Sequence, residues 1–205
     1  MKLYYAPGAC SLSPHIVSRE LGIPVELKKV NTKDKTVEGG GDYRQVNPRG
    51  YVPALMLDNG EILTEGPAIV QYLADRKPEA GLAPQAGSFE RYRLQEWLNF
   101  LTSEIHKAFS PLFKPNTPEE YKKITKENLA GRFDWLDSEL GGKDYLMGSQ
   151  FTVADAYLFV LLGWTAPTKI DLAKWPNLAA FRQRVGARPK VKEALEAEGL
   201  LKKAA

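Results

Sequence analysis

The clearest fold signal in this 205-residue chain is the segment VPALMLDNGEILTEGP at residues 52–67. Its first six residues are apolar and predict a buried strand, and Asp58-Asn59-Gly60 is a strong tight-turn signal. Residues 61–64 then return as the hairpin partner. Pro67 suits the first turn of a helix, because its missing N–H has no partner to lose there. The segment predicts an antiparallel hairpin followed by a covering helix.

The residues before this hairpin predict a parallel pair of strands. The apolar run Lys2–Tyr5 is one strand, residues 25–30 are the other, and residues 11–21 between them read as a helix. Parallel strands need such a crossover connection. A polar, Gly-rich stretch at 31–42 leads into a short helical turn at 43–46. The order βαβαββα, a mixed sheet with helices, is that of a thioredoxin-like domain.

Strand signals disappear after residue 80. Pro78–Gly87 has the composition of a linker, and the apolar spacing beyond it predicts helices at 88–109, 118–140, 151–164, 176–185 and 189–198. Thr152 and Asp155 form a predicted capping box at the start of a helix that is apolar all round, so Asp155 is interpreted as structural. The predicted fold is a thioredoxin-like domain at 1–80, a linker at 81–87 and an all-helical C-terminal domain at 88–205.

Composition excludes several function classes. The net charge of +3 comes from 28 Lys and Arg against 25 Asp and Glu, interleaved along the chain, so no strip suits nucleic acid. The longest apolar stretch, Ala156–Trp164, is shorter than the ~20 residues that a membrane-spanning helix needs. A single cysteine excludes an intrachain disulfide framework and fits a reducing compartment. We therefore expect a cytoplasmic protein that binds neither nucleic acid nor membrane.

Cys10, the only cysteine, lies between the first strand and the first helix. A thiol at a helix N-terminus feels the partial positive charge of unpaired N–H groups, which favours the thiolate. The alternative is a small buried apolar residue. Taken alone, the residue leaves both interpretations open.

Two features of the hairpin segment suggest a ligand. A cis peptide at Val52-Pro53 would free the Val52 N–H and C=O to pair with an extended peptide, although an edge-strand proline is an alternative. Thr64-Glu65-Gly66 opens a helix, where an anion can bind, and Glu65 could take an ammonium group. An anion with an ammonium is the head group of an α-amino acid, although a plain helix cap is equally compatible.

A polar stripe follows the linker. Asn99, Ser103 and His106 fall at i, i+4 and i+7 within a narrow arc of the predicted helix, flanked by Glu104 and Lys107. The stripe is compatible with simple solvent exposure or with a His106 that donates near a reactive sulfur. Metal binding is not expected, because the chain has two histidines and no ligand-pair spacing.

These segments together resemble the glutathione transferases. The resemblance lies in Cys10 after the first strand and in three further motifs: Asn47-Pro48-x-Gly50-x-Val52-Pro53-Ala54-Leu55, Thr64-Glu65-Gly66-x-Ala68-Ile69-x-x-Tyr72-Leu73 and Phe151-Thr152-x-Ala154-Asp155. The run Pro7-Gly8-Ala9-Cys10-Ser11-Leu12 and Glu104-x-His106-Lys107 are similar to the bacterial beta class. The motifs fall in order over essentially the whole chain.

The resemblance implies how the first half would hold glutathione. The Val52 backbone would bind the cysteinyl part, and Glu65 with the Gly66 N–H would hold the γ-glutamyl end. Lys35 would face the glycine carboxylate. Gly66 stands where many members have Ser, so a side-chain hydroxyl is missing, and Tyr51 adds an aromatic wall.

The resemblance also implies the catalytic residues. Cys10 and His106 would lie near the glutathione sulfur, and Cys10 could form a mixed disulfide. Further glutathione contacts would come, partly from a partner subunit, from Asn99, Ser103 and Glu104. The electrophile site would be lined by Phe109, Phe113, Lys107 and Trp164.

The implied function is conjugation of the glutathione thiol to hydrophobic electrophiles, with Cys10-dependent thiol–disulfide chemistry. Glutathione would be a co-substrate, no cofactor or metal is expected, and the protein would be a homodimer. One alternative is a non-catalytic ligand-binding or regulatory protein of this fold. Another is a glutathione-dependent reductase, against which the chain lacks a C-x-x-C pair and devotes more than half its length to helices.

Overall fold

The computed structural model describes residues 1–202, so the predicted end of the helical domain at residue 205 lies outside the described residues. The chain forms two compact units. One is Met1–Ala83 together with the segment that starts at Ala187, and the other is Pro84–Gly186. The strands and helices of the first unit are β1 Lys2–Tyr5, α1 Leu12–Glu20, β2 Glu26–Asn31, β3 Thr36–Val37, β4 Ala54–Met56, β5 Ile62–Thr64, α2 Gly66–Asp75 and α8 Pro189–Ala197.

The first unit contains the predicted thioredoxin-like sheet. Its strand order is β3-β2-β1-β4-β5, with β1 parallel to β2 and antiparallel to β4. Leu3 pairs with Leu27 on one side and Leu55 on the other, and both Leu3 and Leu55 are fully buried. β4 and β5 form the predicted hairpin, in which Gly60 takes a φ of +87° at the turn. This confirms the predicted fold class.

One strand of this sheet was not predicted. β3 pairs antiparallel with β2 inside the stretch that composition assigns to a loop, where Val37 lies opposite Val30. Val37 packs on a small core that contains Tyr4, Val30 and Tyr43. Two residues are too few to show an alternating pattern, and the packing of the partly buried Val37 on this core is the contact that accompanies the strand. The predicted helical turn is a short 3-10 helix at Tyr43–Gln45.

The C-terminal segment packs with the first unit, where α8 lies against α1. Arg188 donates to Glu20 at 2.7 Å. Glu198 and His15, both with fully buried side chains, meet at 2.9 Å between Glu198 Oε1 and His15 Nδ1. Glu198 also accepts the Gly8 N–H at 3.0 Å, which ties the chain end to the turn before Cys10. The linker at 81–87, placed between a first domain at 1–80 and a second at 88–205, stays a prediction.

The second unit is helical throughout. Its helices are α3 Phe89–Phe100, α4 Lys107–Phe113, α5 Glu119–Glu139, α6 Val153–Gly163 and α7 Pro176–Gly186. α6 is buried on almost every side, as its uniformly apolar sequence predicts. Within residues 1–202, no helix combines the length and the apolarity needed to cross a membrane.

The predicted capping box at the start of α6 is present. Asp155 is fully buried and accepts the Thr152 N–H at 2.8 Å and the Leu146 N–H at 2.8 Å. Burial raises the pKa of the Asp155 carboxyl to about 6, although its hydrogen bonds act in the opposite direction. The carboxylate is therefore structural, since it joins the preceding loop to the helix N-terminus.

The helix predicted at 88–109 is interrupted. A π-helical segment, Leu101–His106, connects α3 to α4, and the Lys107 N–H bonds to the Thr102 carbonyl five residues back. One additional residue in a turn rotates everything after it by about 100° relative to an uninterrupted α-helix. This rotation changes which residues share a helix face.

Candidate functional site

Cys10 lies in a tight turn between β1 and α1. The Ala9 N–H donates to the Ala6 carbonyl at 3.1 Å, and Ser11 Oγ accepts the Ala6 N–H at 3.1 Å. The Cys10 thiol donates to the Val52 carbonyl, with 3.3 Å between Sγ and O. The turn therefore brings the sulfur of Cys10 against the main chain of Val52, two residues that are 42 positions apart in the sequence.

Of the two interpretations left open for Cys10, the structure supports the protonated thiol in the free protein. The side chain is mostly enclosed, and burial raises the pKa of the Cys10 thiol to about 12. The N–H groups of Cys10 and Ser11 lower that pKa, as expected at a helix start, but their effect is smaller than that of burial. Glu65 adds a further increase through its negative charge. Cys10 is a neutral thiol at neutral pH.

The segment before Pro53 is held by three side chains. Lys35 Nζ donates to the Gly50 carbonyl at 2.9 Å. The Tyr51 carbonyl accepts from the Tyr43 hydroxyl at 2.9 Å and from Asn47 Nδ2 at 2.7 Å. These contacts hold the carbonyls of Gly50 and Tyr51, the two residues that precede Val52.

Val52 itself presents main-chain groups. The Val52–Pro53 peptide bond is cis, which decides between the two alternatives left open by the sequence. In the part of the chain that the structure describes, no partner is found for the Val52 N–H, and the Val52 carbonyl accepts only the Cys10 thiol. An extended peptide could therefore pair with this residue, as strand addition requires.

Glu65 stands at the start of α2 with a φ of +69°, which is unusual for a residue with a side chain. Its carboxylate accepts from Arg49 Nη1 at 2.8 Å, and Arg49 Nη2 also donates to Thr64 Oγ1 at 3.1 Å. A Cβ at Gly66 would approach only Pro53 Cγ, at 4.0 Å, so packing does not require glycine there. Sequence reasoning missed Arg49, whose only signal is its place in the loop Asn47-Pro48-Arg49-Gly50.

The residues of the predicted polar arc differ in their surroundings. Asn99 and Ser103 are exposed, and Ser103 Oγ donates to the Asn99 carbonyl at 3.0 Å. His106 is half-buried and contacts Tyr157 of α6, and it ends the π-helical segment that follows α3. Glu104 is ion-paired with Arg132, at 3.0 Å between Oε2 and Nη2.

The His106 ring is enclosed by two aromatic residues. Its Nδ1 is hydrogen-bonded to the Tyr157 hydroxyl, and the ring meets Trp164 edge to face with centroids 4.9 Å apart. Burial, with a smaller effect of the positive Lys107, lowers the pKa of His106 to about 4. The imidazole is therefore neutral at neutral pH.

Three of the four residues predicted for the electrophile site form one aromatic cluster in the second unit. Trp164 contacts both Phe109 and Phe113 edge to face, each with centroids 5.6 Å apart. Phe109 is fully buried, so it supports the other two rings and presents no surface to a ligand. Phe113 is half exposed and Lys107 is exposed.

The first unit thus contains five of the predicted residues: Cys10 bonded to Val52, Lys35 bonded to the carbonyl of Gly50, and Glu65 next to Gly66 at the start of α2. A cation, an anion, a thiol and free main-chain groups lie along one extended segment. Across residues 1–202, no group of three or more potential ligands is arranged to hold a metal ion.

Comparison with known proteins identifies the family. The model of the glutathione S-transferase N-terminal domain matches residues 8–76, and that of the C-terminal domain matches residues 100–189. Glutathione S-transferase GstA of Escherichia coli O157:H7 is 48% identical over 98% of this chain and 100% of its own length. The chain belongs to the glutathione S-transferase family.

Solved structures of glutathione S-transferases agree with this assignment. The bacterial beta class enzyme of Sphingomonas chungbukensis is 52% identical, with a TM-score of 0.96 over 98% of this chain and 100% of that one. A sphingomonad glutathione S-transferase solved in complex with glutathione is 51% identical, with a TM-score of 0.95 over 98% of this chain and 100% of that one. Similarity at this level assigns the chain to the bacterial beta class of the family.

Proposed function

We propose that this glutathione S-transferase conjugates the thiol of glutathione to hydrophobic electrophiles, using the Cys10–Val52 segment as the glutathione site. The observation that carries the proposal is the contact of 3.3 Å between Cys10 Sγ and the Val52 carbonyl, beside a main-chain N–H that no described residue satisfies. The sphingomonad relative solved with glutathione supports the choice of ligand.

The charges of glutathione suit the charges along this segment. Glutathione has an ammonium and a carboxylate at its γ-glutamyl end, a carboxylate at its glycine end and a thiol between them. In the proposed complex, Glu65 takes the ammonium and the Gly66 N–H takes the adjacent carboxylate. Lys35 takes the glycine carboxylate, and the Val52 N–H and C=O pair with the cysteinyl unit.

The proposed role of the catalytic residues is to stabilise the glutathione thiolate. Cys10 carries a proton on sulfur, so it can donate a hydrogen bond to a negative sulfur. The family resemblance gives the neutral His106 the same role. The thiol proton passes to water, since neither residue is poised to take it. The thiolate then forms a bond to an electrophilic carbon, and the group that it displaces leaves with its bonding electrons.

Thiol–disulfide exchange is proposed as a slower activity of the same site. Cys10 Sγ bonds to one sulfur of oxidised glutathione while the glutathione disulfide breaks, and the other half leaves as glutathione with the proton. Because the thiolate is the attacking form, a pKa of about 12 makes this step slow at neutral pH. The raised pKa therefore favours conjugation over reductase chemistry.

The remaining assignments rest on the family resemblance. We propose that Asn99, Ser103 and Glu104 bind glutathione, some of them across a homodimer, and that Phe113, Trp164 and Lys107 line the electrophile site. Glutathione acts as a co-substrate without a further cofactor, and the expected location is the cytoplasm. Glu104 would have to exchange or share its ion pair with Arg132 to contact glutathione.

Intact mass measurement after incubation with oxidised glutathione tests the site. We expect one glutathione adduct on the wild type, removed by reductant and absent from Cys10→Ala, and we expect it to form faster at pH 9 than at pH 7. Conjugation to an aryl halide should largely survive in Cys10→Ala. Saturable glutathione binding with no adduct at either pH would make Cys10 a structural thiol.

A non-catalytic ligand carrier of this fold is the main alternative. Retention on immobilised glutathione, release by free glutathione and saturable thioether formation would together exclude it. Glutathione binding without thioether formation from any of several electrophile classes would favour it.

A further inference from the structure

A hydrogen bond between His106 and Tyr157 orients the imidazole ring of His106. The bond joins His106 Nδ1 to the hydroxyl of Tyr157, a residue of α6 that is 2% exposed. Trp164 also contacts the imidazole edge to face. The ring is thus fixed by one polar contact and by edge contacts with the rings of Tyr157 and Trp164.

This contact is made by the last residue of the π-helical segment Leu101–His106. In an uninterrupted α-helix, His106 would lie within about 20° of Asn99, since seven steps of about 100° nearly complete two turns. Asn99 is exposed, and His106 faces α6. Single π-helical turns occur frequently at functional sites, and here the turn delivers a histidine to a buried tyrosine hydroxyl.

The chemistry of the two groups decides which of them holds the proton. A neutral imidazole has one donor nitrogen and one acceptor nitrogen, and the hydrogen bond made by one sets the state of the other. A phenol, with a pKa near 10, is a better proton donor than a neutral imidazole N–H. The Tyr157 hydroxyl therefore donates to Nδ1, and the ring proton resides on Nε2.

We propose that Tyr157 is a positioning residue that fixes His106 in the Nε2–H tautomer, so that His106 acts as a neutral hydrogen-bond donor and not as a base. The proposal rests on the proposed function, in which His106 serves the glutathione sulfur. It specifies the donor atom as Nε2 and assigns Tyr157 a role in transition-state stabilisation through His106. Retention of the proton on Nε2 also explains why the thiol proton must pass to water.

The other histidine of the chain provides an internal contrast. Arg19 Nε donates to His15 Nε2 at 3.3 Å, so that nitrogen is the acceptor. His15 Nδ1 lies 2.9 Å from the Glu198 carboxylate and therefore carries the proton. The two histidines of the chain are thus assigned opposite tautomers by their contacts.

Nitrogen-15 NMR of protein labelled on histidine tests the proposal without any ligand. We expect two ring spectra near pH 7.5: one with the proton on Nδ1, lost in His15→Gln, and one with the proton on Nε2, lost in His106→Gln. In Tyr157→Phe, the His106 Nδ1 signal should shift to that of a nitrogen without a hydrogen bond. Tyr121→Phe, which alters an exposed tyrosine, should leave both spectra unchanged.

A kinetic measurement on the same variants tests the functional part. With glutathione and an aryl halide, Tyr157→Phe should lower kcat about fivefold, in line with the loss of one hydrogen bond, and change KM for glutathione less than twofold. Tyr121→Phe should match the wild type. Any one of three results would overturn the proposal: a proton on Nδ1 of His106 in the wild type, unchanged His106 chemical shifts in Tyr157→Phe, or an unchanged kcat in Tyr157→Phe.

Failure of this inference and failure of the proposed function give different results. If the wild type forms thioether and His106 carries its proton on Nδ1, the inference is wrong and the function stands. If the spectra are as expected but the wild type forms no thioether, the tautomer assignment stands, and the role in catalysis is refuted with the proposed function.

Discussion

The pKa of Cys10 gives the sharpest quantitative prediction. Alkylation by iodoacetamide proceeds through the thiolate, so its rate at each pH follows the thiolate fraction. With a pKa of about 12, about 3 in 100,000 molecules carry the thiolate at about pH 7.5, against about 1 in 10 for an ordinary thiol of pKa 8.5. The alkylation rate should therefore be about three thousandfold lower than that of an ordinary thiol.

The assay is a pH–rate profile of alkylation from about pH 7 to 10, followed by intact mass. Since Cys10 is the only cysteine, every carbamidomethyl group on a thiol reports this residue, and Cys10→Ala measures the background. Free glutathione in the same tube is the reference thiol. Circular dichroism at each pH verifies that the protein stays folded.

We expect the rate for Cys10 to rise about tenfold per pH unit across the whole range, while the rate for free glutathione levels off above its own pKa. Slow access to a buried sulfur would lower every rate equally, so the slope separates access from ionisation. Glu65→Gln should raise the rates moderately, because the carboxylate is a minor cause of the raised pKa. A plateau below about pH 8 would show that the helix N-terminus outweighs burial and would refute this reasoning.

Three further predictions concern other contacts. Arg49→Ala removes an exposed ion pair with Glu65 and should raise KM for glutathione about two- to fivefold with kcat unchanged. Arg44→Ala is the control and should have no effect. A lower KM for Arg49→Ala would mean that Arg49 competes with the substrate ammonium for Glu65. Asp155→Ala leaves buried N–H groups unpaired and should lower the free energy of unfolding in urea by about 3–5 kcal/mol; a loss below about 1 kcal/mol would contradict this. The pKa of His106 in the folded protein, about 4, lies below the usual value of 6.5, so the stability contributed by the neutral imidazole is present above about pH 6.5 and is lost as pH falls through about 4. Between pH 7 and 4.5, the midpoint of urea unfolding should therefore fall less for His106→Gln than for the wild type. Equal falls would refute the lowered pKa.

Local chemistry explains what the sequence could predict. The hairpin at 52–64 follows from an Asn-Gly turn between apolar runs, and Gly60 has the positive φ that this turn needs. The capping box of Thr152 and Asp155 follows from side-chain reach within four residues. The thioredoxin-like fold class was predicted correctly because the sequence signals of its strands and helices are short and contiguous.

The features that escaped prediction depend on contacts or on single residues. β3 is too short for a periodic signal. The π-helical turn before His106 contains one residue more than an α-helical turn, and no residue type in the sequence marks this change. The raised pKa of Cys10 depends on the sum of the atoms that enclose its sulfur, which no single motif contains. The ion pair of Arg49 with Glu65 forms because a loop brings together residues 16 positions apart.

The most direct test of the proposed transferase is the initial rate of thioether formation as the glutathione concentration is varied at fixed aryl halide. Lys35→Met removes the cation on the Val52 segment, and Lys33→Met removes an exposed lysine of the same loop as a matched control. We predict a saturable, enzyme-dependent rate for the wild type and Lys33→Met, and a KM for glutathione about tenfold higher for Lys35→Met, as expected for a charge-assisted hydrogen bond. A rate no greater than the uncatalysed reaction, or equal KM values for the two lysine variants, would contradict the proposed glutathione site.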